Sequence, residues 1–170
     1  MLLPAIKADA YGHGIAEVFN VLISEGIKWV GVATFNEAEK LRKLDKATNI
    51  LVFGPVETED MRKAIDMNIA FPLTSMNEID FLNENNLAPR VHLAVDTGMG
   101  RIGLPPTKAL SFIANILADK NLVLQGIFTH MATADDVDKT YALKQYNLFQ
   151  ELVQQLIKNR IDLPVISAAN

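Results

Sequence analysis

Seven times along this chain a short apolar run is followed by a longer amphipathic one, and that alternation restricts the fold more than any other feature. The short runs cover residues 2–8, 29–33, 50–53, 69–73, 91–95, 123–128 and 164–166. Several are continuously apolar, as parallel strands covered on both faces must be. Between them lie helical stripes: Ile15, Val18, Phe19, Leu22 and Ile23 recur at one spacing. Leu143, Tyr146, Phe149, Leu152, Val153, Leu156 and Ile157 repeat it in the longest helix. Capping boxes at Thr34-Phe-Asn-Glu37 and Ser75-Met-Asn-Glu78 mark two helix starts. Repeated strand–helix steps in one sheet imply right-handed crossovers, which leaves a doubly wound open sheet or a (β/α)8 barrel. Seven unbroken steps with short loops favour the barrel, incomplete here with about seven of its eight strands. Residues 1–170 are read as a single, partial barrel domain.

Composition narrows the function classes. With 170 residues, 49% hydrophobic and 21% charged, the chain is globular. A net charge of −4 argues against a nucleic-acid or anionic-membrane surface as the main partner. No apolar stretch is long enough for a transmembrane helix. The absence of cysteine fits a reducing cytoplasm and excludes a thiolate zinc site. The chain runs into apolar sequence at Leu2 and ends close behind Val165-Ile166, so it is expected to be a piece of a longer protein.

In a barrel, chemistry gathers at the C-terminal ends of strands and in the loops that follow. The first such place is Lys7-Ala-Asp-Ala-Tyr11-Gly-His-Gly14. Lys7 ends an apolar run, either snorkelling to solvent or presenting an amine that forms a Schiff base. Tyr11 is either a packed turn aromatic or a phenol beside helix-start amides suited to a phosphate. After the fifth run comes Asp96-Thr-Gly-Met-Gly-Arg101-Ile-Gly103, whose glycines match G-x-G-x-x-G. In a dinucleotide site the glycines open the helix, whereas here Pro105-Pro106 place the helix start after them. That leaves Arg101, a fork suited to a carboxylate or phenolate. The sixth run ends in Thr129-His130-Met-Ala-Thr-Ala-Asp135, where His130 serves either as acid, base or stacking ring, or as a structural residue. Asp135, Asp136 and Asp138 lack the glycine and closing Glu of a calcium loop and read as a solvated helix start.

Taken together, Lys7–Gly14, the Val-Asp-Thr-Gly-Met-Gly-Arg-Ile-Gly segment around Arg101, the Thr-His-x-Ala-x-Ala-Asp segment around His130 and the terminal Ala-Ala-Asn resemble, in order, the motifs of the bacterial alanine racemases. The likeness spans essentially the whole chain. It implies a pyridoxal 5'-phosphate-dependent racemase interconverting L- and D-alanine for D-alanine and peptidoglycan-precursor supply. By that resemblance Lys7 carries the cofactor as a Schiff base and is the base on the D-amino-acid face. Tyr11 binds the cofactor phosphate, and Arg101 meets its phenolic oxygen and the substrate carboxylate. His130 lies against its ring, and Asn170 sits in the surrounding shell.

The resemblance further implies a homodimer whose C-terminal β domain lends the partner a tyrosine as second base. Nothing in this chain corresponds to that domain, the last barrel strand or the arginine that faces the ring nitrogen, so the chain alone is expected to be inactive. Ala94 stands where many members have a carbamylated lysine that holds the motif arginine. Alternatives are a serine or broad-specificity racemase of the same barrel class, or a non-catalytic cofactor-binding module. With a strand lacking, unpaired sheet edges favour self-association.

Overall fold

The computed structural model describes residues 1–169 and forms two compact units. The first comprises Met1–Pro72 and Phe81–Arg90, the second Leu73–Asp80 with the residues from Val91 onward.

In the first unit the order is α1 (Lys7–Gly12), α2 (Ile15–Ser24), β1 (Trp29–Val32), α3 (Phe35–Leu44), β2 (Asn49–Val52), α4 (Thr58–Asp66) and β3 (Ile69–Leu73), whose last residue belongs to the second unit. The strands lie in the order β1-β2-β3 and run parallel, with Trp29 opposite Asn49 and Val32 opposite Val52. All of β1 and β3 is buried, which is why these strands read as unbroken apolar runs. The β2–β3 ladder pairs Ile50 with Ile69 and Leu51 with Ala70, and stops before Pro72, which has no N–H to donate. Helix α3 opens with the expected capping box: Thr34 Oγ1 accepts from Glu37 N, and Glu37 Oε2 accepts from Thr34 N.

Residues 2–8 depart from the expected first strand. They form one parallel bridge, Ala5 to Gly31, closed by Gly31 N donating to Pro4 O and Ile6 N donating to Gly31 O, each at 2.8 Å. Pro4 supplies no donor of its own, and the backbone coils into α1 at Lys7. Six strands therefore stand among the described residues in place of seven.

Helix α5 (Met76–Glu84) contributes to both units. Its start is the second expected box, with Ser75 N donating to Glu78 Oε2 and Glu78 N to Ser75 Oγ. The second unit holds β4 (Arg90–Val95, less its first residue), α6 (Pro106–Ala118), β5 (Val123–His130), α7 (Thr140–Lys158) and β6 (Val165–Ala169), with strand order β4-β5-β6. β5 and β6 run parallel from Gly126–Val165 to His130–Ala169. Gly126 has no room for a Cβ between Val165 of β6 and His92 of β4, so close strand approach accounts for this glycine.

Helix α7 corrects one stripe. Leu143, Tyr146 and Ile157 are exposed, and the inward line is Gln145, Phe149, Leu152, Val153 and Leu156. That line has the same helical spacing, with a polar residue in a core position. No helix among the described residues is long and apolar enough to cross a membrane.

Candidate functional site

The site residues of the first unit sit on α1, whose hand is unusual. Ala8, Asp9, Ala10 and Tyr11 all have φ between 52° and 55°, so this single turn winds left-handed. L-residues pay roughly 1–2 kcal/mol each for that conformation, and the cost is opposed by hydrogen bonds around the turn. Ala10 N donates to Ile6 O, Gly14 N to Asp9 O, and Ile15 N to Asp9 Oδ1. Glu37 adds a clamp from α3: its Oε1 accepts from Ala8 N at 2.7 Å, while Oε2 holds Ala33 N and Thr34 N. The capping-box carboxylate thus also fixes the peptide that follows Lys7.

On this turn the Lys7 side chain is half-buried, with Nζ 5.9 Å from the centroid of the Tyr11 ring. Tyr11 is largely exposed. An amine and a phenol beside one another on a clamped turn match, in donor chemistry, a small group carrying a carbonyl and an anion. The Ile15 amide at the start of α2 is already taken by Asp9, so an anion bound by Tyr11 meets a helix start with one fewer free donor than the sequence suggested.

In the second unit the chain leaves β4 into the glycine loop. Asp96 Oδ1 accepts from Gly98 N at 2.9 Å and Gly100 N at 3.0 Å. A bridge between Val95 and Leu104 closes the loop, through Leu104 N to Ala94 O and Asp96 N to Leu104 O. Gly103, at φ +115°, passes so close that an added Cβ would lie 2.7 Å from Ala94 O. Helix α6 begins only at Pro106, so these glycines do not open a helix and the dinucleotide reading fails on geometry. Arg101 is exposed on the loop and has no carboxylate partner among the described residues.

His130 is the last residue of β5 and half-buried. Beyond it, Thr133 Oγ1 is buried with no hydrogen-bond partner among the described residues. The expected site residue Asn170 lies outside the described residues. Ala94 is buried and ends in a methyl group.

Four residues around this loop carry a role that the sequence did not assign them. Thr97 and Thr129, both buried, share a hydrogen bond at 2.9 Å, and Gln145 of α7 reaches both strand ends. Tyr141, one turn earlier, donates its hydroxyl to Gly98 O at 2.7 Å. A glutamine on the apolar stripe of α7 was the available signal.

Comparison with known proteins now decides the family. The sequence model described as "Alanine racemase, N-terminal domain" matches residues 1–170. The chain belongs to that family. The alanine racemase of Methanococcus maripaludis is 36% identical over 174 residues, covering 99% of this chain and 47% of the relative. A solved alanine racemase from Clostridium difficile 630, in complex with cycloserine, matches with a TM-score of 0.89 at 30% identity, covering 99% of this chain and 47% of that one. A histidine racemase from Leuconostoc mesenteroides subsp. sake matches with a TM-score of 0.81 at 30% identity, covering 98% and 45%. The fold is thus the incomplete (β/α)8 barrel of alanine racemases. The chain spans about half the length of the curated relatives it matches.

Proposed function

We propose that residues 1–170 act as one cofactor-binding barrel domain of a pyridoxal 5'-phosphate-dependent racemase that interconverts L- and D-alanine. The observation that carries this reading is the Lys7 amine, held beside Tyr11 on a left-handed turn whose first peptide is clamped by Glu37.

Pyridoxal phosphate supplies, when bound, an electron sink for the pair left at Cα as its proton departs. The chain's own residues do the rest. Lys7 Nζ would hold the cofactor's carbonyl carbon and would carry the Cα proton on one face. The exposed Tyr11 hydroxyl would donate to the cofactor's phosphate. Arg101 offers a planar fork to the substrate carboxylate and the cofactor's phenolic oxygen. His130, at the end of β5, would stand beside the cofactor ring. Racemisation needs a proton carrier on each face, and the second is supplied from outside these residues by a partner subunit of a homodimer. The absence of cysteine fits a cytoplasmic enzyme.

The test is to add pyridoxal phosphate, reduce with borohydride and map the modified peptide. Label at Lys7 is expected, and label elsewhere or none overturns the assignment. The chain by itself is expected not to racemise L-alanine at an enzymatic rate; efficient turnover would show that both proton carriers lie within it.

A second reading has one observation in its favour. The histidine racemase match shows that a closely similar half-barrel occurs in a protein named for a different amino acid. A substrate panel on the longer protein separates the two, with alanine turned over fastest if the first reading holds.

A further inference from the structure

We infer that Gln145, together with Tyr141, is a positioning residue that locks the Arg101 loop to the end of β5, and so sets where Arg101 and His130 are presented. The functional consequence rests on the proposed racemase site; the mechanical tie does not.

Gln145 is fully buried on the inward line of α7, where its neighbours in the stripe are Phe149, Leu152, Val153 and Leu156. An amide buried without partners is destabilising, so its hydrogen bonds are the reason a glutamine can stand in this place. Oε1 accepts from Ala132 N at 2.9 Å, and Nε2 donates to Thr97 Oγ1 at 3.3 Å and to His130 O at 3.4 Å. Thr97 Oγ1 is shared in turn with Thr129 Oγ1. One side chain thereby joins the root of the loop that carries Arg101 to the backbone on both sides of Met131.

A second observation is independent of the first. Tyr141 precedes Gln145 by four residues and so lies on the same face of α7. Its hydroxyl donates to Gly98 O, and Gly98 is the residue that lets it approach: a Cβ there would fall 2.5 Å from the tyrosine oxygen. Ala94 brings no polar side-chain atom to this end of β4. Orientation of the loop then falls to Asp96 from within and to Tyr141 and Gln145 from α7.

The experiment compares the chain with Tyr141→Phe and Gln145→Met, the first at a partly exposed position that loses only a hydroxyl. Amide hydrogen exchange without cofactor, read residue by residue, is expected to accelerate tenfold or more at Gly98 and Gly100 in both variants. At Ala132 it should accelerate in Gln145→Met alone, with thermal midpoints for Tyr141→Phe near that of the parent. Pyridoxal phosphate affinity, from the visible absorbance of titrated protein, is expected to fall several-fold in both, while borohydride at saturating cofactor still labels Lys7. Unchanged exchange in Tyr141→Phe overturns the tie, whatever becomes of Gln145→Met. Faster exchange with unchanged cofactor affinity overturns its positioning role. Should the parent itself take no label at Lys7, the racemase reading fails, and the exchange rates still decide the tie.

Discussion

Gly103 shows what a single residue contributes here. Its φ of +115° and the 2.7 Å approach of Ala94 O to an imagined Cβ exclude every side chain. Gly103→Ala is expected to lower stability by about 1–3 kcal/mol, visible as an earlier urea midpoint with unchanged slope; an unshifted midpoint would show that the loop has slack. Arg42 is a different residue-scale device. Nearly buried, it donates to Met67 O, Asp45 O and Asn68 O, closing the first unit around three carbonyls. Burial pushes its guanidinium below the usual range and Asp45 opposes that shift. The planar guanidinium reaches the three carbonyls from three separate nitrogens, Nε, Nη1 and Nη2. Nothing in the spacing of Arg42 distinguished it from the surface lysines around it, because its targets come from residues far along the chain.

At the scale of elements, what the sequence revealed depended on whether the signal was local. Both capping boxes formed as read, since each is closed within four residues. The start of α7 was also legible as a solvated acidic cluster. Asp138 Oδ1 accepts from Thr140 N, and bonds from the Thr140 side chain and backbone hold its carboxyl below the ordinary value. A depressed carboxylate stabilises the fold above its unfolded pKa of about 3.9 and loses that contribution as pH falls through the lower folded value. Asp138→Ala should therefore melt below the parent at neutral pH, with the gap closing as pH drops under about 4; a constant gap to pH 2 would argue for a non-ionic role. The hand of α1 was not legible. Of Ala8, Asp9, Ala10 and Tyr11 only the aspartate is a residue type that visits positive φ with any frequency, and the bonds that sustain the turn come partly from Glu37 on another element. The same holds for Gln145, whose partners lie 13 to 48 residues away.

For the whole molecule, the alternation of strand and helix left a doubly wound sheet or a barrel, because parallel strands covered on both faces read as apolar runs in either, and the unbroken steps favoured the barrel. It overcounted by one, since Pro4 and the coil at Lys7 reduce residues 2–8 to a bridge. The place of the motif glycines, Lys7 and Arg101 behind apolar runs was readable from sequence order alone, whereas the hydrogen bonds of Tyr141 and Gln145 required the fold. Exposure at the last strand has its own outcome. Among the described residues β6 pairs only with β5, and Ile166 is 44% exposed. An apolar residue on an open strand edge templates pairing with another copy. The chain alone is expected to scatter light above its monomer mass, and Ile166→Lys to lower that mass; a monomeric parent would refute this.

The left-handed turn also has a stereochemical consequence. A residue of inverted chirality prefers the φ that Ala8 adopts at a cost. Ala8 is exposed, so its methyl group has room to point the other way. A chain made by chemical synthesis with D-alanine in place of Ala8 should then be more stable than the natural one, by about 1 kcal/mol. At that position this backbone would hold more comfortably the mirror-image amino acid that its family is named for making.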